Sequence, residues 1–495
     1  MYELLSLLAL GAVFFALHTV HARYRGGLSA VPGPFSASMS NFWKVKAVWL
    51  GDMPRRNIEV HRKYGPVVRI GPNHVSFSSP EALHTIHGSR QAYPKSDFYK
   101  PTSTPFDGAP LFTLFSVQDV NYHSSLKKSI GGLYTKAVVL GLEPKVDECL
   151  RAFTDKISKL IREGEPTPLD MSSWAHYFAF DCLGELTASK KFGFLQKGQD
   201  VNGMIAGSDN VLLKTGFFAQ APILQFARRV MEAPTASKAV DPVMTYASSI
   251  VRDRLEKPTP TTDMLNNFIH LQQSQPDRLS TREIIGALYI NLMAGHDVLA
   301  VTLRSVLYHV ARAPQVEKKL RSELATLETN YPISVPVPFS ALQELPYLDA
   351  VIQESLRIHG NLGLVNERVT PPEGAFIDGY HIPGGTIVGI NPWVIHRNAK
   401  IFGDDVDDFR PERWLDGDGR QIAEMRRNLF SFGAGPRMCI GKNIATMQLF
   451  KFISEFYRHF EAQLAHPEKE WHVIGNWVTK QTQMDMLLKQ VEPLP

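Results

Sequence analysis

The sequence predicts a mainly α fold of the α+β kind, with small β-sheets set to one side, and three observations carry that expectation. Apolar residues recur at i, i+3 and i+4 through 145–162, 171–188, 282–312, 315–329 and 340–358, the period of helices with one buried face. Residues 65–79 alternate in polarity between Gly-Pro pairs, as a β-hairpin does, and Arg368 to Val388 is a second β-rich stretch that turns at Pro383-Gly384-Gly385. No shift in composition divides the chain, so 46–495 reads as one domain, although 495 residues would by length alone suggest two or three.

From the N-terminus, Leu4 to Val20 is apolar apart from Ser6, His18 and Thr19, about the length that crosses a thin bilayer. Glu3 precedes the run and Arg23 and Arg25 follow it, the reverse of a cleaved signal peptide. Residues 1–22 are therefore read as a transmembrane anchor with the rest of the chain on the cytosolic side; a cleaved signal is the alternative. Val31-Pro32-Gly33-Pro34 makes a stiff elbow inside a linker over 23–45, because proline fixes φ and restricts the residue before it.

A hydrophobic content of 44% with 21% charged residues is ordinary for a large buried core. The net charge of +4 is too small to argue for nucleic acid, and leaves room for a basic patch facing an acidic protein or a membrane. Three cysteines without a C-x-x-C pair argue against a disulfide framework or a cysteine zinc site and fit a reducing compartment.

The chemistry concentrates in Phe432-Gly433-Ala434-Gly435-Pro436-Arg437-Met438-Cys439-Ile440-Gly441, just ahead of a helical stretch from Lys442 to His459. Glycines let backbone approach something flat and bulky, and Cys439 lies where helix-end N–H groups favour a thiolate. Arg437 offers a cation to an acidic edge of the same ligand. A lone loop cysteine is more often a buried structural residue. This one stands in the pattern F-x-x-G-x-R-x-C-x-G, matched at Phe432, Gly435, Arg437, Cys439 and Gly441. On these residues the chain resembles the cytochrome P-450 superfamily of haem-thiolate monooxygenases, and most nearly the fungal microsomal enzymes of specialised metabolism, the pisatin-demethylase-like group.

That resemblance implies a single triangular haem-thiolate fold, haem as cofactor and Cys439 as its iron ligand. It places Glu354, Arg357 and Arg413 in a charge network behind the haem, a structural rather than catalytic role. The haem propionates would be held by Arg437, Arg368, His123 and Lys127, the last two standing where many relatives have Trp and Arg, with Phe432 and Gly435 shaping the loop. In Asn291-Leu292-Met293-Ala294-Gly295-His296-Asp297-Val298, Ala294 and Gly295 would leave room for dioxygen and Asp297 would relay protons. The threonine that relatives carry next is Val298, which neither donates nor accepts a hydrogen bond, and Thr302 is one helical turn away. His296 reads as a packed or solvated helix residue.

By position in the family, Phe106 to Phe115, Phe217-Phe218, Leu288, Asn291, Leu362 to Val365 and Ile474 to Trp477 would wall a pocket for a lipophilic small molecule. The chain has no glycine-rich dinucleotide fingerprint, so the resemblance implies electrons from a membrane-bound NADPH-dependent flavoprotein reductase. Lys127, Lys128, Arg426, Arg427 and Lys442 would steer it, or form an ordinary solvated face. Localisation would be single-pass in the endoplasmic reticulum, with the catalytic domain in the cytosol. Val298 keeps a second expectation open, a redox-neutral or oxygen-non-inserting enzyme such as an isomerase, dehydratase, cyclase or desaturase. A third is a non-catalytic haem sensor.

Overall fold

In the computed structural model helices fill most of the chain, and small sheets of two to four strands lie at its edges. The structure describes residues 23–88, 93–164, 168–232 and 241–491, with isolated positions before 23. The anchor expected over 1–22 lies, apart from those positions, outside the described residues. Among the described residues one stretch, Thr281–Ala311, is long and apolar enough to cross a membrane, yet 72% of its apolar window is buried inside the protein. It is a core element.

The helices that build the site are α1 (Val120–Ile130), α2 (Glu143–Glu163), α3 (Met171–Ala188), α4 (Met204–Phe218), α5 (Thr281–Gly295), α6 (Asp297–Ala311), α7 (Pro346–Ile358) and α8 (Lys442–His459). Apolar on every side, α3 must be enclosed, and it lies against α2, α5 and α6. Lys451 ties α8 to α2, its fully buried ammonium 2.6 Å from Glu143 and 2.5 Å from Asp147. A buried cation persists only with such partners.

A capping box starts α5: Glu283 N–H donates to Ser280 Oγ at 3.2 Å, and Ser280 N–H donates to the Glu283 carboxylate at 2.8 Å. The sequence predicts one helix over 282–312; the structure interrupts it at His296 and resumes as α6. The step follows Gly295, where a Cβ would meet Leu183 of α3 at 2.9 Å, so glycine both weakens the helix and admits its neighbour. The helix predicted over 340–358 is likewise split, into Phe339–Leu342 and α7, at Pro346, a residue that starts a helix better than it continues one.

The predicted hairpin forms β1 (Val67–Gly71) and β2 (His74–Phe77), and the second β-rich stretch supplies β3 (Asn366–Val369) and β4 (Ile387–Ile390). The sheet order is β1-β2-β4-β3, with β4 parallel to β2, His74 opposite Ile387, and antiparallel to β3, Arg368 opposite Val388. Every residue of β1 and β2 is buried, so polar alternation there does not mark a wet face. The proline elbow helps cover it: Arg69 N–H donates to Pro32 O at 2.7 Å, and a Cβ at Gly33 would meet Arg69 O at 2.3 Å. Buried Arg69 is met by carbonyls, donating to Arg23 O at 2.8 Å and Pro72 O at 2.6 Å. The sheet thereby brings Arg368 of β3 to the mouth of the helical core.

Candidate active site

The loop ahead of α8 is shaped by glycine. Gly433 and Gly435 have φ of 70° and 62°, in the left-handed region, and a Cβ on Gly435 would lie 1.9 Å from the His87 carbonyl oxygen. The loop closes on itself where Cys439 N–H donates to Phe432 O at 2.8 Å and Met438 N–H to Gly435 O at 3.1 Å. Cys439 lies deep in the protein, and its side chain is accessible because it opens into a cavity of ≈ 320 Å³. Burial pushes its thiol pKa up, against the pull of the Gly441 N–H and the Lys127 and Lys442 ammonium groups. Burial thus opposes the thiolate that the Gly441 N–H and the two ammonium groups favour, and a bound metal ion would tip the balance towards it.

Around the cavity stand the cations Lys95, Lys127, Arg368 and Arg437, with Glu283 the one carboxylate among its described lining residues. Glu283 is spent on capping α5. Arg437 donates to Val117 O at 2.6 Å and Gln118 O at 3.2 Å, and burial beside Arg368 pushes its pKa down to about 10. Lys127 of α1 donates to Pro436 O at 2.6 Å and Met438 O at 3.3 Å, so it braces the cysteine loop as well as facing the cavity. His123, also on α1, is held neutral, its pKa pushed to about 3 by burial and by Arg437, Lys127, Lys95 and Arg368. Arg368 donates to Glu367 O at 2.7 Å. Sequence reasoning missed Lys95, whose ammonium donates to Phe115 O and lies 4.1 Å from the ring centres of both Tyr99 and Phe115. It also missed His87, a buried cavity residue whose two ring nitrogens have no hydrogen-bond partner among the described residues. So many buried donors with so little counter-charge call for an anionic ligand.

Opposite the cysteine loop, Ala294 is exposed although Leu292 and Met293 before it are buried, because it faces the cavity, and Gly295, Val298 and Thr302 line the same wall. The space left by Gly295 is occupied by Leu183, so this glycine serves helix packing more than it enlarges the cavity. Thr302 Oγ is 3.2 Å from both Val298 O and Asn361 Oδ1. Asn361, which sequence reasoning passed over, is buried and lines the cavity beside Thr302. Asp297 does not line it. One residue beyond the helix break, it turns to the far side of α6, buried, with His176 Nε2 of α3 at 4.0 Å. Burial and nearby Asp209 push its pKa up to about 7, against the pull of Arg304 and Lys480. His296 is fully buried and stacks on Phe180, ring centres 4.0 Å apart.

The family model described as Cytochrome P450 matches residues 32–488. The chain belongs to the cytochrome P450 family. It is 34% identical over 447 residues to a cytochrome P450 monooxygenase of Aspergillus terreus, covering 88% of this chain and 90% of that protein. It is 31% identical to the cytochrome P450 monooxygenase cicH of Emericella nidulans, over 96% of this chain and 97% of that one. To the cytochrome P450 monooxygenase mfmA of Annulohypoxylon moriforme it is 33% identical, over 89% and 88%. It is thus a P450-type monooxygenase, and the family's cofactor is haem iron with a cysteine thiolate. The residues fit that group: one cysteine facing an apolar cavity, and cations with an unpartnered His87 where acidic edges would lie.

Behind the P450 site, Glu354 and Arg357 of α7 pair at 2.7 Å with neither side chain exposed, and Arg413 joins them at 3.3 Å. Of the expected pocket walls, Phe112 to Phe115, Asn291 and Leu362 line the cavity. Leu288 is core, one position from lining residue Ala287. Phe106 to Leu111, Phe217-Phe218, Gly363 to Val365 and Ile474 to Trp477 do not line it. Trp477 packs on Phe98, Tyr99 and Phe115 and backs the wall instead.

Proposed function

We propose that this chain is a membrane-anchored haem-thiolate monooxygenase that oxidises a lipophilic small molecule of specialised metabolism with dioxygen and reductase-supplied electrons. The observation that carries the reading is Cys439 opening into a largely apolar cavity ringed by Lys95, Lys127, Arg368 and Arg437. Haem, once bound, would supply dioxygen activation, to which the Cys439 thiolate would contribute electron density. The chain's residues do the rest. Cys439 ligates through Sγ, with the Gly441 N–H bonded to that sulfur. Arg368, Arg437, Lys127 and Lys95 hold the propionates, while neutral His123 offers an N–H to them. Phe432 and Gly435 keep the loop closed, and Ala294 leaves the opposite face bare. Asp297, with a carboxyl poised near neutrality, holds and passes a proton from behind α6.

Several features support membrane and reductase contact. The run Leu4 to Val20 is the anchor, in the endoplasmic reticulum membrane, with the domain in the cytosol. The helix Pro222–Glu232 exposes Ile223, Phe226, Val230 and Met231, and it adjoins α4, on which Phe217 meets exposed Trp49 with ring centres 5.5 Å apart. A surface of that kind suits a lipid boundary. Lys128 on α1 and Lys442 beside the cysteine loop are exposed, as are Arg427 and Arg426 (paired with Asp349 at 2.6 Å) on the preceding helix Gly419–Asn428; these are the basic groups for an NADPH-dependent flavoprotein reductase.

Val298 favours a second reading, in which no oxygen is inserted and the reaction is a ring closure, desaturation or isomerisation. Thr302 does not replace the missing hydroxyl, since Val298 O and Asn361 engage it. Membranes carrying the chain and a matched reductase, fed extracts of cells lacking it under labelled dioxygen, decide between them. A product that needs NADPH and carries one labelled oxygen supports monooxygenation. A product without label supports the second reading.

A further inference from the structure

Arg304 of α6 is a buried cation in an unusual position. Its Nε donates to Ser172 O at 2.8 Å and its Nη2 to His176 Nδ1 at 3.1 Å, while Nη1 has no hydrogen-bond partner among the described residues. Asp297, two turns earlier on the same helix, is buried, and its nearest base is His176 at 4.0 Å, beyond hydrogen-bond reach. A buried guanidinium with a spare donor and a buried carboxyl beside it ordinarily pair. Here a histidine stands between them.

The hydrogen bonds fix how it stands. Arg304 only donates, so His176 Nδ1 accepts and its proton sits on Nε2. Nε2–H then donates to His296 Nδ1 at 2.8 Å, which leaves the His296 proton on Nε2, directed at Ser208 Oγ 3.4 Å away. Phe180 and His176 stack on the His296 ring at centre distances of 4.0 and 5.0 Å. Both histidines are neutral: burial and Arg304 push His176 well below its ordinary pKa and His296 to about 3. The same polarity excludes a metal ion, although His176, His296 and Asp297 lie within 4.8 Å of one another, because neither histidine retains a free lone pair.

We propose that His176, braced by His296, is a positioning residue that keeps the Arg304 guanidinium from pairing with Asp297, leaving that carboxyl free to take up and pass on a proton. The inference rests on the proton role given to Asp297 above. The groups that face Asp297 are His176 on α3, His296 between α5 and α6, Arg304 on α6, Asp209 on α4, and Lys480 on the strand Thr479–Thr482. Lys480 pairs with Asp209, and its side chain is 38% exposed, so both charges that act on Asp297 from this side belong to an ion pair open to solvent. Were Arg304 to reach Asp297 directly, the carboxyl would be held ionised, as any acid beside a buried cation is.

The test follows the carboxylic-acid band of Asp297 in the holoenzyme by infrared difference spectroscopy over pH, assigned by its loss in Asp297→Asn. In His176→Ala the band should titrate at least one pH unit lower, a tenfold drop in the protonated fraction above its pKa. His176→Gln, whose side-chain oxygen still accepts from Arg304, should restore the wild-type titration. An unchanged band in His176→Ala, or an equal drop in His176→Gln, overturns the proposal. If His176→Ala does not fold, Arg304→Gln serves: the band should move to higher pH, and an unmoved band overturns it. NADPH oxidation with reductase, followed over pH in the same variants, separates the two layers. A band that moves while the pH profile stays fixed upholds the placement of Arg304 and overturns the role of Asp297 in proton delivery.

Discussion

Glu354→Gln removes one charge from an ion network whose Glu354, Arg357 and Arg413 side chains are at most 1% exposed. Glu354 Oε1 accepts from Arg357 Nη2 at 2.7 Å, Arg410 N–H at 2.9 Å and Arg413 Nε at 3.3 Å. Oε2 accepts from Arg357 Nε at 2.8 Å and Trp414 Nε1 at 3.0 Å. A glutamine turns one of those oxygens into a donor, so at least two donors face another donor across a dry contact. Arg413 keeps Asp405 at 2.5 Å, but Arg357 loses one of its two bonds to the side chain and keeps the remaining amide oxygen with the carbonyls of His396, Val406 and Asp408. Breaking a buried pair from one side costs ~3–5 kcal/mol. With unfolding entropy of ~2.1 cal/mol/K per residue over about 450 residues, the midpoint should fall by ~3–5 °C. Thermal unfolding of the holoenzyme, followed by circular dichroism at matched haem content, reads it. The internal control is Glu163→Gln, which breaks the Lys159–Glu163 contact at 3.7 Å between side chains 62% and 63% exposed. A pair of that kind is worth ~0–1 kcal/mol. If the two variants lose the same stability, the reading of Glu354 as a structural charge is wrong.

Gly435→Ala puts a Cβ against the His87 carbonyl and a side chain at φ 62°, so the loop must move; haem content per chain should fall well below wild type, and full loading would contradict the close packing. Lys95→Met removes a buried cation without opening the wall. Transfer of haem to a scavenger protein should speed up roughly 10- to 100-fold, the ~1.5–3 kcal/mol of a hydrogen bond to a charged group, and an unchanged rate would take Lys95 out of cofactor binding. Asp297 is raised from 3.8 to about 7 in the folded protein, so what its neutral form contributes to stability is fully present below about pH 4 and lost as pH rises through about 7. Denaturant unfolding of Asp297→Asn should therefore match wild type near pH 4 and gain on it above pH 7, by up to ~4 kcal/mol; a difference that does not change with pH would contradict the buried carboxyl.

What sequence made legible was local. The glycines, Arg437 and Cys439 act within ten residues, and the structure folds that loop on the backbone conformations those residues permit. The helices over 171–188 and 442–459 begin and end where their apolar spacing does. What was not legible depends on which way a side chain turns once helices pack. Asp297 lies two residues beyond Gly295 and leaves the cavity wall, while Val298, four residues after Ala294 and four before Thr302, stays on it. His176 and His296 are 120 residues apart, and no spacing in either segment announces their bond. Lys95 looks like a loop lysine until Tyr99, Phe115, Arg368 and Arg437 enclose it, and Asn361 becomes a wall residue only because α7 ends beside Thr302. Leu288 shows the limit of positional reasoning: one step along α5 separates core from cavity.

The central claim is that Cys439 holds the iron through its sulfur. X-ray absorption at the iron edge of the purified holoenzyme, compared with Cys439→Ser, tests it without any substrate. The account predicts one sulfur scatterer in the first coordination shell of the wild type and its loss in the variant. A first shell of nitrogen and oxygen alone in the wild type, or a sulfur that persists in Cys439→Ser, would contradict it.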